Sequence, residues 1–192
     1  MNRPKKKLRY IAFHKPYGVL CQFTGEENDR TLADFGLPKE VYPAGRLDKD
    51  SEGLLLLTND GPFIKKLLEP KFGHERSYLV QVERIPSESD LKQLEKGVVI
   101  KGYRTLPCKV RKIIENELED IEQRDPPIRF RKNVPTCWLE ISLTEGKNRQ
   151  IRRMTAAIGH PTLRLIRIKI GKLQLGPIKQ KQWLEITKEE VI

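Results

Sequence analysis

Residues 45–58 read Gly45-Arg46-Leu47-Asp48-Lys49-Asp50-Ser51-Glu52-Gly53-Leu54-Leu55-Leu56-Leu57-Thr58, a polar stretch followed by an apolar run. The apolar run is short and is bounded by Gly53 and by the turn sequence Asn59-Asp60-Gly61, so residues 54–58 predict a fully buried strand. The polar residues before it are flanked by two glycines and predict a loop. This stretch therefore predicts a charged loop that leads directly into a core strand.

The rest of the chain contains many short strands and few helices. Apolar alternation and short apolar runs predict strands over residues 10–13, 19–23, 78–82, 98–100, 107–114, 136–143, 163–170 and 182–187. Helical spacing and capping residues predict helices over 62–68 after Asp60, over 88–96 after Ser87, and after residue 148. The order favours an α/β (α+β) fold with a mixed or antiparallel sheet.

Two segments depart from the simple pattern. In residues 163–170 the apolar alternation slips by one between Leu165 and Ile166, which predicts a β-bulge. Residues 115–135 contain an acidic run, then Pro126-Pro127, then a basic cluster, and they predict a long loop. Long loops inside compact domains are often functional, so this one is a candidate for contact with substrate.

Length and composition exclude several classes of protein. The chain has 192 residues, which suits one domain or two tightly joined halves. It contains no apolar run of the ~20 residues that a membrane span needs, and His14 and Lys15 interrupt any signal-peptide core. The three cysteines are widely spaced and the three histidines lack metal-ligand spacing, so we expect a cytoplasmic protein without disulfides or a metal site.

The positive charge is concentrated in two stretches. The formal net charge is +11, and residues 1–10 contribute five charges while residues 144–169 contribute six. Such a concentration is typical of a protein that binds a polyanion, most often nucleic acid. The alternative is that a basic tail and a basic helix are only solvated surfaces.

The loop at residues 45–53 is the first candidate for chemistry. Asp48, Asp50 and Glu52 resemble the start of a calcium loop, but the twelfth position is Asn59 where a bidentate Glu is required. The neighbouring cations Arg46 and Lys49 instead favour an ionised carboxylate, as a nucleophilic Asp requires. A turn whose Asp only caps backbone amides remains the alternative.

Two further sets of residues could take part in a reaction. Arg149, Arg152 and Arg153 share one face of the predicted helix after residue 148, opposite an apolar face. One of these arginines could orient the aspartate of the loop while the others bind phosphates. Tyr78 begins a predicted strand and is preceded by Arg76; a tyrosine in this position is either core or catalytic.

These motifs resemble those of the RsuA/Rlu family of ribosomal RNA pseudouridine synthases. The resemblance rests on Lys15-Pro16-x-Gly18, on Gly45-Arg46-Leu47-Asp48 with Ser51-x-Gly53, and on residues 145–154, which read EGKNRQIRRM. Residues 126–129 through Pro135-Thr136, together with residues 161–167, resemble the E-type branch of that family, which modifies 23S ribosomal RNA. The match keeps the family order from about residue 9 to residue 187.

The resemblance implies a role for each site residue. Asp48 would be the catalytic aspartate, Tyr78 the base beside the flipped uracil, and Arg152 the basic partner of Asp48. Phosphate binding or orientation of the loop would fall to a set of basic residues: Lys15, Arg46, Lys147, Arg149 and Arg153. No metal and no cofactor would be needed.

The resemblance also implies a fold, a partner and a reaction. The fold would be a mixed, mostly antiparallel central sheet flanked by helices, with an active-site cleft across the middle. Residues 1–8 would be a basic flexible tail, and residues 9–192 a catalytic domain of two abutting subdomains without an S4 domain. A cytoplasmic monomer would isomerise a specific uridine of 23S ribosomal RNA to pseudouridine. The alternative is a non-catalytic RNA-binding factor for ribosome assembly on the same fold.

Overall fold

The computed structural model describes residues 7–129 and 132–192. In chain order its strands and α-helices are β1 (Tyr10–Lys15), β2 (Tyr42–Pro43), β3 (Glu52–Thr58), α1 (Gly61–Leu68), β4 (Arg76–Glu83), α2 (Glu88–Glu95), β5 (Val99–Ile100), β6 (Tyr103–Arg104), β7 (Lys109–Lys112), β8 (Thr136–Leu143), α3 (Gln150–Ala157), β9 (Thr162–Ile170), β10 (Leu173–Gln174) and β11 (Trp183–Ile186). No helix among these is long and apolar enough to cross a membrane.

The main sheet is mixed and mostly antiparallel, as predicted. Its strand order is β11-β1-β3-β9-β4-β8-β7, with β2 beside β3 and β10 beside β9. Only β3 and β9 of the described strands pair in parallel, where Glu52 lies opposite Ile166 and Gly53 opposite Arg167. Strands β5 and β6 form a separate hairpin. The parallel pair joins the loop before β3 to the arginine-rich strand β9.

Strand β3 lies inside the core, which confirms the prediction for residues 54–58. All seven of its residues are buried. Leu54 and Leu56 pack in a cluster with Phe63 of α1, whereas Leu55 and Leu57 pack in a second cluster on the other face. Each fully buried leucine contributes about 1.5–3 kcal/mol of transfer free energy, so this strand anchors the loop before it to the buried core.

The helix starts also follow the sequence. Asp60 caps α1, because its carboxylate accepts a hydrogen bond from the backbone N–H of Phe63 at 3.1 Å. Ser87 caps α2 and forms a reciprocal capping box with Asp90. Both boundaries therefore arise from the local side-chain chemistry that predicts them.

Residues 19–23 do not form the predicted strand. Val19 makes a single bridge to Arg30, and Leu20 N–H donates to the Arg30 carbonyl at 2.9 Å. Val19 and Cys21 are nevertheless buried in the same cluster as β1. The apolar spacing reflects this packing beneath a loop rather than pairing in a sheet.

The predicted β-bulge between Leu165 and Ile166 is also wrong. Leu165 pairs with Val80 and Ile166 with Leu79 in continuous register. The irregularities lie elsewhere along β4, between residues 77 and 78 and between residues 81 and 82. Two apolar residues are adjacent in the sequence because β9 is buried on both faces at this point.

Two predicted features extend beyond the described residues. Residues 1–6 of the predicted tail and residues 130–131 of the predicted long loop lie outside them. The described part of that loop contains a short 3₁₀ turn, Glu115–Leu118, and then Arg124, whose guanidinium lies 4.3 Å from the centre of the Tyr17 ring. Its contact with substrate stays a prediction.

Candidate active site

The loop before β3 is held at its backbone from two directions. Leu47 N–H donates to the Cys21 sulfur at 3.2 Å, and Gly18 N–H donates to the Lys49 carbonyl at 2.8 Å. The Leu47 side chain is itself buried. Asp48 lies between these two anchored residues, so the backbone that carries its carboxylate is fixed.

One arginine contacts both carboxylates of this loop. Arg149 donates from Nη1 and Nη2 to the two carboxylate oxygens of Asp50, each at 2.8 Å, and its Nη1 lies 3.4 Å from Asp48 Oδ2. Burial raises the pKa of Asp50, but the hydrogen bonds from Arg149 and the charge of Arg152 outweigh it, so the pKa lies below its usual value. Asp50 is therefore an ionised partner of the arginines.

Arg149 adopts its position through an unusual backbone conformation. The sequence predicts that it shares a helical face with Arg152 and Arg153. It instead precedes α3 as the N-cap residue, with φ of 51° and ψ of 34° in the left-handed region. Few residues other than glycine and asparagine adopt this region, and strain of this kind is concentrated at functional sites.

Arg152 contacts the loop at the two residues just before β3. Its Nη2 donates to the Asp50 carbonyl at 2.6 Å and lies 3.4 Å from Ser51 Oγ, while its Nε lies 3.4 Å from the Asp50 carboxylate. Burial lowers the pKa of Arg152, although an arginine remains charged. Arg152 thus contacts Asp50 and Ser51 and interacts with Asp48 through its charge alone, whereas Arg149 comes within 3.4 Å of the Asp48 carboxylate. The predicted role of Arg152 as the basic partner of Asp48 stays a prediction.

A cleft of about 870 Å³ lies beside the loop. Of the predicted site residues, five line it: Arg46, Asp48, Tyr78, Lys147 and Arg149. Tyr78 lies on β4, where it pairs with Ile141 of β8 on one side and with Arg167 of β9 on the other. The sheet therefore brings Tyr78 into the same cavity as Asp48, although thirty residues separate them in the chain.

Two further arginines line the cleft, and the sequence did not indicate them as site residues. Arg167 is 3% exposed, and its Nε donates to the Leu54 carbonyl at 2.8 Å. Its buried Nη2 has no hydrogen-bond partner within the described part of the chain, so it is a free donor beside the cleft. Arg76 lies near Tyr78 and donates to the Leu67 carbonyl at 3.3 Å.

The buried position of Lys15 conflicts with the prediction that it contacts substrate. It is completely buried in β1, and its ammonium donates to the Pro16 carbonyl at 2.9 Å. Burial lowers its pKa to about 8. A phosphate cannot reach it, so its position favours the other role considered for it, orientation of the loop. Arg153 also lies outside the cleft and donates to Asn148 Oδ1.

Strand β6 and the segments after β6 and after β8 add residues to the cleft that the sequence did not indicate as site residues. Tyr103 and Leu106 line it together with Glu145. Tyr103 is joined to Glu145 across 42 positions of the chain. No local pattern marks such a contact, because only the tertiary fold creates it.

This cleft belongs to a known class of enzyme. Residues 9–157, which include the loop and both Asp48 and Tyr78, match the family model described as RNA pseudouridylate synthase. The chain belongs to this family. The resemblance carried by residues 45–53 and 145–154 is thereby confirmed, and the chain is a pseudouridine synthase.

Within the family the chain is similar to the E-type proteins. It is 50% identical over 188 residues to ribosomal large subunit pseudouridine synthase E of Vibrio parahaemolyticus, covering 96% of this chain and 78% of that protein. Identity to the protein of the same name from Xanthomonas campestris is 50% over 175 residues, covering 90% and 92% of the two chains. A crystal structure described as a pseudouridylate synthase matches with a TM-score of 0.77 at 26% identity, over 96% of this chain and 73% of that chain. The predicted fold is confirmed.

Proposed function

We propose that this chain isomerises a specific uridine to pseudouridine in large-subunit (23S) ribosomal RNA. The observation that carries the proposal is that Asp48 and Tyr78 line one cleft with Arg149 beside Asp48. The two E-type relatives are named for the large ribosomal subunit, which supports this substrate. The net charge of +11 fits a polyanionic partner.

The reaction exchanges one bond for another within the same nucleotide. The N1–C1′ bond breaks, the uracil turns, the C5–C1′ bond forms, and the proton on C5 is lost while N1 gains one. The base must first leave its stack, at a cost of a few kcal/mol, and be held between side chains. Tyr78 offers a ring for this purpose, and its hydroxyl would accept the C5 proton directly or through water.

Asp48 is proposed as the nucleophile or base at the sugar or the uracil. Attack at C1′, attack at C6 and a glycal route each require a carboxylate that is fixed in position. The anchored loop fixes the backbone of Asp48, and the Arg149 guanidinium lies 3.4 Å from its carboxylate. Arg152 would act as a positioning residue, because its contacts go to the loop beyond Asp48.

The remaining basic residues would bind the RNA backbone. Arg46, Lys147 and Arg153 would contact phosphates, which fix the position of the strand but read no sequence. The reaction involves no net oxidation or reduction, so it needs no redox cofactor, and we propose that it also proceeds without any other cofactor or a metal. We also propose that the protein is a cytoplasmic monomer, as its action on ribosomal RNA would suit, and that residues 9–192 are its catalytic domain.

Turnover of 23S RNA by the Asp48→Asn variant tests the proposal. Naked 23S RNA from cells that lack this protein should gain pseudouridine with the wild type and none with Asp48→Asn, while binding of the RNA is retained. Tyr78→Phe should also lose nearly all turnover and keep its fold. Turnover of Asp48→Asn near the wild-type level would overturn the catalytic assignment.

The same experiment separates the rival function. A non-catalytic factor for ribosome assembly would bind the RNA equally well, but the wild-type protein would convert no uridine. Addition of EDTA should leave the wild-type rate unchanged if no metal takes part. Light scattering of the free protein tests the monomer.

A further inference from the structure

One wall of the cleft carries apolar side chains that the isomerisation itself does not use. Tyr103 of β6 and Leu106 just after it line the cleft, and they are 37% and 51% exposed. We call these two residues the stacking wall. Exposed apolar groups at the mouth of a polar, cationic cleft are a feature that binding of a ligand would explain.

A buried carboxylate holds both residues of the stacking wall. Glu145 is 7% exposed, and its two oxygens accept separate hydrogen bonds, one from the Tyr103 hydroxyl at 2.5 Å and one from Leu106 N–H at 2.7 Å. Gln150 donates to the same carboxylate at 2.5 Å. Three hydrogen bonds converge on this buried side chain, so the position of the Tyr103 ring is fixed before any ligand arrives.

A cation lies directly on this ring. The ammonium of Lys147 is 5.0 Å from the centre of the Tyr103 ring. A fixed aromatic ring beside a lysine is the combination with which proteins bind single-stranded nucleic acid, because the ring stacks on a base and the cation meets the phosphate. Bases inside an A-form helix cannot offer a face to such a ring.

We propose that the stacking wall binds an unpaired nucleobase next to the target uridine, while Lys147 moves from the ring to the adjoining phosphate. The proposal rests on the proposed function and specifies its substrate class: RNA in which a nucleotide flanking the target can leave its helix. The ring, its buried anchor and the cation act as one unit. Tyr103 is thus a specificity-determining residue for the cleft.

A coupling experiment tests this proposal. Turnover is measured on an RNA stem-loop that contains the target uridine, and on the same RNA with one abasic nucleotide immediately before or after it. The wild type should lose about tenfold in kcat/KM on one of the two abasic RNAs, mainly through KM. On the intact RNA, Tyr103→Ala should have a kcat/KM lower than that of the wild type by a similar factor. Removing the base from that RNA should lower the kcat/KM of Tyr103→Ala no further.

Three other variants complete the test. Tyr103→Phe keeps the ring but loses the bond to Glu145, so it should fall between the wild type and Tyr103→Ala. Leu106→Ala keeps its backbone bond to Glu145 and provides a second truncation if Tyr103→Ala fails to fold. Tyr42→Ala removes a tyrosine that is 59% exposed and does not line the cleft, so it should behave as the wild type.

The outcomes distinguish this proposal from the proposed function. If the wild type turns over the intact RNA but both truncations lose activity equally on intact and abasic RNA, the stacking wall does not bind the flanking base. Truncations that match Tyr42→Ala on every RNA would overturn the proposal in the same way. A wild type that converts no uridine at all would overturn the proposed function, and this proposal with it.

Discussion

Arg149 holds Asp50 through two 2.8 Å hydrogen bonds and reaches Asp48 with the same guanidinium, at 3.4 Å. The three charged groups are 32–41% exposed, so the ion pairs contribute little to the stability of the fold. The ion pairs instead position the loop, because the planar guanidinium fixes its orientation beside the cleft. We therefore propose that Asp50 serves to orient the loop that carries Asp48 and does not itself react.

Arg149→Lys should lower kcat while the melting temperature hardly changes. A lysine keeps the charge but loses the bidentate fork, so the loop is no longer fixed in one orientation. Misplacement of a reacting group by about 1 Å can cost up to about 100-fold, and we expect a loss of about tenfold or more. Steady-state kinetics on 23S RNA measures it.

A matched control for this substitution is Arg111→Lys. Arg111 also binds two carboxylates, those of Glu117 and Glu140, but it lies on β7 and does not line the cleft. Its kcat should equal that of the wild type. Equal kcat values for the two variants would show that the Arg149 fork does not position the loop.

Gly53→Ala should destabilise the protein strongly. Gly53 has φ of +101°, and a Cβ there would lie 2.3 Å from the Arg167 carbonyl oxygen and 2.6 Å from its nitrogen. Both atoms belong to the backbone of β9 and cannot move without breaking the parallel pair. A strained φ together with this clash should cost about 2 kcal/mol or more. Urea unfolding measures the loss.

Gly61→Ala provides the comparison. Gly61 is the first residue of α1, and a Cβ there has no atom within 4 Å. Alanine also has the higher helix propensity, so this variant should be at least as stable as the wild type. If the two variants unfold at the same urea concentration, β3 and β9 do not approach as closely as described.

The sequence predicts those parts of the molecule that depend on local chemistry. The leucines of β3, the Asp60 cap and the motif around Asp48 all follow from neighbouring residues. Prediction from the sequence fails for segments whose structure depends on packing against distant parts of the chain. Residues 19–23 are apolar because they cover β1, and the adjacent apolar pair at 165 and 166 reflects burial on both faces.

The same distinction between local sequence signals and long-range contacts applies to the residues of the candidate site. Asp48 and Tyr78 are recognisable from their motifs, and the structure places both in one cleft. Lys15 is buried near the acidic loop residues Asp48, Asp50 and Glu52, all distant from it in the sequence. The left-handed conformation of Arg149 has no glycine or asparagine at its own position to indicate it. Tyr103 joins the site through Glu145 and Lys147, which are both distant from it in the sequence. These features arise from contacts between distant segments and have no local signal.

Lys15 should make the stability of the protein depend on pH. Burial lowers its pKa to about 8 in the folded chain, whereas an unfolded lysine has a pKa of about 10.4. Between these two values the unfolded chain binds one more proton than the folded chain, so the free energy of unfolding rises with pH. The slope from this group approaches about 1.4 kcal/mol per pH unit, and below pH 8 the group destabilises the fold.

The difference in unfolding free energy between wild type and Lys15→Met isolates this effect. The unfolding free energy of the wild type should rise relative to that of Lys15→Met as the pH rises from 8 to 9.5. Lys109→Met serves as the control, since Lys109 is exposed and its hydrogen bond with Glu75 raises its pKa, so its protonation does not change on unfolding in this range. Parallel pH profiles for wild type and Lys15→Met would contradict the buried, titrating lysine.

The buried pair between Glu52 and Arg164 should be costly to break from one side. Arg164 donates from Nε and Nη2 to the two oxygens of Glu52, each at 2.8 Å, and the side chains are 6% and 1% exposed. Arg164→Met leaves an unpaired carboxylate in the core, which should cost about 3–5 kcal/mol. Adding Glu52→Gln removes that charge, so the double variant should be more stable than Arg164→Met alone.

An exposed pair of the same geometry shows whether burial causes this cost. Arg9 donates to both oxygens of Glu185 at 3.0 Å, but these side chains are 32% and 46% exposed. Solvent screens such a pair, so Arg9→Met should leave the urea unfolding curve nearly unchanged. A large loss for Arg164→Met, a small one for Arg9→Met and partial recovery in the double variant would together assign the cost to the desolvated Glu52 carboxylate. Additive losses in the double variant would contradict that assignment, because they would mean that each side chain stabilises the fold through contacts other than the ion pair.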